Sequence, residues 1–229
     1  HPLLQNVRIA DILPQQIRNA EKFPEVNEVL ERVHFPGTLG EAFSGKARFA
    51  FEDLLLLALH IAEERRRAEK EHAAEIHTTV EEIKEFLKEI PFELTHAQKQ
   101  ALWDIVKDMG RGYPMHRLLQ GDVGSGKTVI AALAMAFAAE KGHQSALMAP
   151  TEILARQHYT TLARLFGKYG YGIGLLTANG TKIFYGNGLE GSPKKKEFLG
   201  EVKEGKVKMV VGTHAVIQKS VEFRDLAFA

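Results

Sequence analysis

Gly121-Asp122-Val123-Gly124-Ser125-Gly126-Lys127-Thr128 restricts the fold of this chain more than any other segment. It sets three glycines, a lysine and a hydroxyl at fixed spacing between an apolar run and a helical one. The run before it, residues 115–120, is short and mostly apolar and predicts a strand. The run after it, residues 129–141, predicts a helix that Gly142 closes from the position after the C-cap. Strand, glycine turn and helix together match G-x-x-x-x-G-K-[ST] at every defined position. In such a turn several backbone N–H groups converge on one small volume, and a Cβ at Gly124 or Gly126 would obstruct an approaching anion. The helix start adds free N–H groups and the positive end of its dipole. Lys127 supplies a mobile point charge for β and γ phosphates. Thr128 offers a hydroxyl to Mg²⁺, a cation that prefers oxygen ligands and keeps several waters. Gly121, Asp122, Val123, Gly124, Ser125, Gly126, Lys127 and Thr128 are therefore the expected site for ATP with Mg²⁺. Lys127 and Thr128 are its expected catalytic pair.

The rest of the chain divides near Pro91. Of the 20 glycines, 17 follow that proline, where strands and helices alternate. Residues 145–149, 173–176 and 207–211 read as further strands. Helices are expected over residues 152–166 and 193–204. Strand and helix at this spacing predict a parallel sheet covered on both faces, with the strand C-termini sharing one edge where ligands bind. Residues 177–193 carry four glycines and read as a flexible surface loop.

Before Pro91 the sequence reads as helical. Leu54, Leu55, Leu57, Ala58, Ile61 and Ala62 fall at helical spacing and form one apolar stripe. The mixed charges of residues 63–71 suit a solvated continuation of that helix, since acids dilute the field of Arg65, Arg66 and Arg67. Thr79-x-x-Glu82 is a capping box. Ile83, Phe86, Leu87 and Ile90 follow it at i, i+3, i+4 and i+7, and Pro91 stops the helix.

The totals exclude more than they select. With 30 basic and 29 acidic residues, any nucleic-acid surface has to be local. The absence of cysteine excludes disulfides and thiolate metal sites and fits a reducing cytoplasm. No apolar run reaches the ~18 residues that span a bilayer. His1-Pro2-Leu3-Leu4 lacks the pattern of a signal peptide, and a start without Met reads as an internal boundary. Hydrolysis needs an acidic residue at the end of a neighbouring strand. No apolar strand here ends in Asp-Glu, and residues 223–229 read as the start of such a strand, so the acidic box is expected beyond Ala229.

Three stretches resemble the RecG family of superfamily-2 DNA motors. They are Pro114-Met115-His116-Arg117-Leu118-Leu119-Gln120 running into the glycine loop, Ala149-Pro150-Thr151-Glu152-Ile153-Leu154-Ala155 with Gln157-His158, and Val210-Val211-Gly212-Thr213-His214-Ala215 with Ile217-Gln218. Upstream, His34-Phe35-Pro36 and Ala47-Arg48-Phe49-Ala50-Phe51-Glu52-Asp53-Leu54-Leu55 are similar to the helical linker between that family's wedge domain and its motor. The resemblance covers nearly the whole chain. It implies an α/β fold, a P-loop (RecA-like) parallel sheet with helices on both faces, preceded by an α-helical segment. Residues 1–90 would be the helical arm and residues 91–229 the front of the first motor lobe. The implied activity is that of an ATP-dependent helicase acting on branched double-stranded DNA, such as stalled forks and Holliday junctions, in recombination and repair. The implied partners are that DNA and, within the same polypeptide, a second motor lobe and a wedge domain. The transcription-coupled repair translocases are also similar, but usually carry an aromatic where Ser125 stands and a threonine where Glu152 stands. The chain departs from the RecG pattern at Ala178-Asn179, where Gly-Ser is usual, and its run on to Gly212 is longer than usual.

By the same resemblance Pro150, Thr151, Glu152, Gly212, Thr213 and His214 grip a DNA strand. Just beyond two strand ends, helix-start N–H groups and hydroxyls can hold phosphates without reading sequence. Thr151 and Thr213 could equally be plain helix caps. Phe92 and Thr95-His96-Ala97-Gln98 resemble a motif in which glutamine holds the adenine edge and an aromatic stacks on it. Thr95-x-x-Gln98 is also a capping box, and Gln98 cannot fully serve both. A small-molecule kinase on the same loop would need a lid arginine cluster and an acceptor pocket, and neither can be placed. A non-catalytic ATP-dependent interaction module would fit the missing acid but not a final strand that stops midway.

Overall fold

Thr38, Thr79 and Thr95 each accept a hydrogen bond from the backbone N–H three residues on, and each opens a helix. These caps are seen in a computed structural model of the protein, which describes residues 8–229; the His1-Pro2-Leu3-Leu4 stretch lies outside the described residues. The chain forms two compact units, His1–Glu69 and Lys70–Ala229. Among the described residues no helix is long and apolar enough to cross a membrane.

The first unit holds α1 (Gln15–Glu21), α2 (Val26–His34) and α3 (Leu39–Ala68). Gly45 lets α3 approach α2, since a Cβ there would run into Val33. One turn on, Arg48 is fully buried. Its guanidinium donates to Glu52 at 2.9 and 2.7 Å, to Asp11 at 2.6 Å and to the Pro24 carbonyl. Burial raises the pKa of the Asp11 carboxyl, but bonds from Arg48 and from the Leu13 and Val26 amides outweigh it and hold the group below its ordinary range. The expected apolar stripe is not core: Leu54, Leu57 and Ile61 are exposed. The helices and rings of this unit, such as Phe23 on Phe51, pack along the first half of α3, and the helix runs on past them. There Arg67 pairs with Glu63 and Glu64, as a solvated face does.

The second unit begins ahead of Pro91, because α4 (Val80–Lys88) packs into its core. Ile83, Phe86 and Ile90 are buried there, with the Phe86 ring 5.0 Å from that of Phe137. The shift at Pro91 thus marks glycine content and not the limit of packing. The α4 capping box is made from both sides, Thr79 to Glu82 and back. α5 (His96–Met109), α6 (Lys127–Glu140), α7 (Glu152–Phe166) and α8 (Lys195–Lys203) follow. α6 is buried almost all round, as a helix of alanine, leucine and phenylalanine should be. It ends where Gly142, at φ +88°, turns left-handed, with the amides of His143 and Gly142 bonded to Ala138 and Ala139.

The sheet consists of β1 (Gln144–Met148), β2 (Ile173–Thr177), β3 (Gly180–Gly186), β4 (Leu189–Gly191), β5 (Met209–Gly212) and β6 (Leu226–Phe228), in the order β4-β3-β2-β5-β1-β6. β2, β5, β1 and β6 are parallel, whereas β3 runs antiparallel to both of its neighbours, β2 and β4. The sheet is therefore mixed, and the segment read as a flexible loop is a hairpin. Asn187 at φ +51° and Gly188 at φ +79° make its two-residue turn, both left-handed as a type I′ turn requires. Alternate strand residues face opposite ways: Leu175, Met209 and Val211 toward the core of α4 to α7, Leu176 and Val210 toward that of α8.

Two further features bear on the site. Residues 115–120 are not a strand in the described sheet: they have no ladder partner, although Met115 and Leu119 pack on the core. An apolar run fits a strand, but a strand also needs a neighbouring backbone to pair with. At the opposite end of β1, the buried Gln144 amide makes four bonds. It donates to Val202 and Val207 carbonyls and accepts from the Arg224 and Asp225 amides, at 2.8–3.0 Å.

Candidate phosphate loop and sheet-edge site

Glycine at positions 124 and 126 is demanded by backbone geometry. Gly124 and Gly126 sit at φ +83° and +86°, a region costly for residues with a Cβ. A Cβ on Gly126 would lie 2.5 Å from Gln98 Nε2, and one on Gly121 would lie 2.7 Å from Ser125 Oγ. A side chain at Gly126 or Gly121 would therefore have to displace Gln98 or Ser125, whereas Gly124 has open space around it. Asp122, Val123 and Ser125 stand exposed around it, with Val123 fully so. Gly126 is the N-cap of α6, so the first amides of the helix, including those of Lys127 and Thr128, have no partner in a preceding turn. No side chain caps this end, and no acidic residue lies in its first turn. The Lys127 ammonium lies over the loop, donating to the Gly121 and Asp122 carbonyls at 2.5 and 2.7 Å. Thr128 follows in the first turn, half-buried.

This donor set fits a polyphosphate: amides, a helix start and one ammonium, with no carboxylate in the first turn to repel the anion. It also fits Mg²⁺ more than a cation bound wholly by protein. Among the described residues no group of three or more His, Cys, Asp or Glu side chains could hold a metal. Mg²⁺ shares a hydroxyl with phosphate oxygens and water.

Gln98 belongs to this loop more firmly than the sequence alone indicates. Its Oε1 accepts from Thr95 N at 2.9 Å, and its own N–H bonds to Thr95 Oγ1, so the capping box is complete. Its Nε2 then donates to the Ser125 carbonyl at 2.9 Å. One side chain starts α5 and holds the phosphate loop. Phe92 lies apart from these groups. It lines an open groove of about 830 Å³ with Leu87, Pro91, Leu94 and Lys99, and Gln98 does not line it.

The second set of expected residues does come together. Met148 and Gly212 are register partners across β1 and β5, and Ala149 N donates to the Gly212 carbonyl at 2.8 Å. Residues 150–152 and 212–214 therefore leave the sheet side by side. Gly212 also faces Leu176 on β2, where a Cβ would strike the Leu176 carbonyl. Thr151 caps α7, accepting from Leu154 N at 3.3 Å. Thr213 holds the N-cap position of a short 3₁₀ turn, His214–Ile217, without a side-chain cap bond. His214 is exposed. Glu152 accepts from Arg156 at 2.9 and 2.6 Å and from Asn179 Nδ2 at 2.7 Å. The Arg156 bond holds its carboxyl below the usual range, desolvation opposes this, and the Asn179 bond adds to the lowering.

Arg156 and Asn179 were not among the residues expected from sequence. Arg156 sits four residues after Glu152 on a helix, which is the spacing of an ion pair. Asn179 is itself part of the departure from the family pattern, and only the fold brings it to Glu152.

The family model described as DEAD/DEAH box helicase matches residues 95–228. The chain is 40% identical over 221 residues to the ATP-dependent DNA helicase RecG of Bacillus subtilis (strain 168), covering 96% of this chain and 31% of that protein. It is 40% identical over 232 residues to the ATP-dependent DNA helicase RecG of Haemophilus influenzae, covering 98% and 32%. A solved structure described as RecG bound to a three-way DNA junction superposes with a TM-score of 0.81 at 36% identity, over 96% of this chain and 29% of that one. The chain spans about a third of the length of these curated relatives.

Proposed function

Since the chain belongs to the DEAD/DEAH box helicase family, we propose that its second unit is the ATP-binding part of a RecA-like motor lobe that drives remodelling of branched double-stranded DNA. The observation that carries this is the shared sheet edge. The segments 150–152 and 212–214 leave β1 and β5 in register at Met148 and Gly212, where amides and hydroxyls can meet successive phosphates of one strand. The two curated relatives are ATP-dependent DNA helicases by name, and the superposed structure holds a three-way junction, which supports the branched substrate.

In this reading the residues have separate tasks. Lys127 and the loop amides from Gly121 to Thr128 bind the triphosphate, and Thr128 contributes one oxygen to Mg²⁺. The metal, when bound, neutralises charge developing on the phosphates. Gln98 positions the loop through Ser125, and contacts adenine only by giving up its bond to Thr95. Pro150, Thr151, Glu152, Gly212, Thr213 and His214 track the DNA backbone. Closure against a second motor lobe would convert nucleotide turnover into movement, with the first unit, residues 8–69, in the helical arm leading to a wedge domain. The site is intracellular, in the cytoplasm, where such DNA lies.

The test is ATP hydrolysis by the intact protein with a three-way junction, with linear duplex and without DNA. The rate is expected to rise most with the junction. Equal rates in all three arms, or phosphoryl transfer to a small acceptor without DNA, would overturn the reading.

A further inference from the structure

Beside the 150–152 segment lies a cavity of about 420 Å³ whose wall carries Arg156, Lys182, Lys194 and Lys195 and no acidic residue. It is built by three elements: α7 supplies Arg156, the β3 strand of the hairpin supplies Lys182, and the entry to α8 supplies the lysine pair. Its floor is rigid. Thr181, buried, donates to the Pro193 carbonyl, and Thr177 donates to the Gly180 carbonyl at 3.2 Å. The cations differ in how far they are already neutralised. Arg156 is paired with Glu152 at 2.6 Å, and Lys182 reaches Glu190 only at 3.4 Å. Lys195 contacts the neutral Gln218 at 3.4 Å, and among the described residues neither Lys194 nor Lys195 has an ion-pair partner. Glu197 accepts from the Lys194 backbone N–H at 3.0 Å and leaves both ammonium groups without an ion pair, so two like charges adjoining one hollow favour an anion there.

The cavity is also continuous with the proposed DNA track. Asn179 lines it and donates to Glu152 at 2.7 Å, and Glu152 in turn holds Arg156. The carboxylate thereby joins the wall of the cavity to the segment at the end of β1. Resting on the function proposed above, we infer that this cavity is an additional phosphodiester-binding site, through which the β3–β4 hairpin and the start of α8 extend the DNA path beyond residues 150–152. The shared chemistry is a phosphate oxyanion, and the source is the backbone of a DNA strand and not free phosphate.

Each phosphate that the protein no longer neutralises lowers the slope of log affinity against log salt by about 0.7–0.9. In the intact protein, K194Q/K195Q is therefore expected to reduce the salt slope for junction binding by up to about 1.4–1.8. K194R/K195R, which keeps both charges, should retain the parental slope. K203Q/K206Q, on lysines paired with Glu222 and Glu204 at the other end of α8, should also retain it. A thermal melt of each variant accompanies the titrations, and the single variants K194Q and K195Q replace the double one if it melts early. Parental slope in the glutamine variants, or an equal reduction in K203Q/K206Q, would overturn the cavity and leave the motor reading standing. Weaker binding of inorganic phosphate with unchanged junction binding would overturn the DNA source. Failure of the parent protein to bind DNA in a salt-dependent way would instead sink the proposed function.

Discussion

Gln98 Nε2 donates to the Ser125 carbonyl at 2.9 Å, so the first turn of α5 is tied to the middle of the phosphate loop. A glutamine that only read adenine would matter to ATP alone. One that holds the loop matters to any polyphosphate. Gln98→Ala is therefore expected to weaken ATP and inorganic triphosphate by a similar factor, and to cost about 1 kcal/mol of stability through removal of the capping box. Two binding titrations and a thermal melt check this. A loss confined to ATP would return Gln98 to adenine recognition.

Lys127→Ala should abolish productive nucleotide binding while the melt stays within about 0.5 kcal/mol of the parent. The ammonium contacts two loop carbonyls and no core residue, so its removal leaves the packing of α6 untouched. Calorimetric titration with ATP–Mg²⁺ measures it, and parental affinity would contradict the site.

Thr151 and Thr213 separate two roles that the sequence could not. Thr151 caps α7, so Thr151→Ala should lower stability by about 1 kcal/mol. Thr213 makes no side-chain cap bond, so Thr213→Ala should leave the melt unchanged. Both should reduce DNA affinity in the intact protein by the same factor on unrelated sequences, as phosphate contacts do. A sequence-dependent loss in a binding panel would argue against this role.

Arg48→Met should unfold the first unit selectively. It leaves the buried Glu52 carboxylate without its ion pair and Asp11 with only the Leu13 and Val26 amides and Arg18 at 3.4 Å, a cost of about 3–5 kcal/mol for a broken buried pair. Hydrogen exchange should show the loss in α1 to α3 and not in the sheet. The same network sets a pH dependence. Because the folded pKa of Asp11 is depressed, its contribution is present above its unfolded value, about 3.9, and disappears as pH falls through the lower folded value. Denaturant midpoints between pH 6 and pH 2 should show that decline in the parent and a smaller one in the variant.

The loop, its helix and the parallel strands were legible because each rests on local chemistry. Glycine spacing, capping threonines at 79 and 95, and a closing Gly142 all act within one turn. The hairpin has a local signal too, in Asn187-Gly188 between alternating residues, which favours a type I′ turn. The four glycines of the same segment point the other way, toward a loop, and mask it. What was not legible depends on partners distant in sequence. Residues 115–120 have strand composition without a strand neighbour. The Leu54 stripe has helical spacing without a covering element. Asp11 meets Arg48 only once α1 and α3 are brought together, and Asn179 meets Glu152 only because β2 and β1 end at one sheet edge on either side of β5.

The Gln144 amide bears on the lifetime of the native state. Its four partners lie 58 to 81 residues away along the chain, and they converge only after β1, α8, β5 and the approach to β6 have assembled. Bonds that close over such long stretches are expected to form after the barrier, which a φ-value near zero for Gln144→Ala would show. Removing a late-forming bond leaves the folding rate nearly unchanged and speeds unfolding. Gln144 is thus expected to act as a latch that delays escape from the folded state, set at the end of β1 opposite the edge proposed to hold DNA.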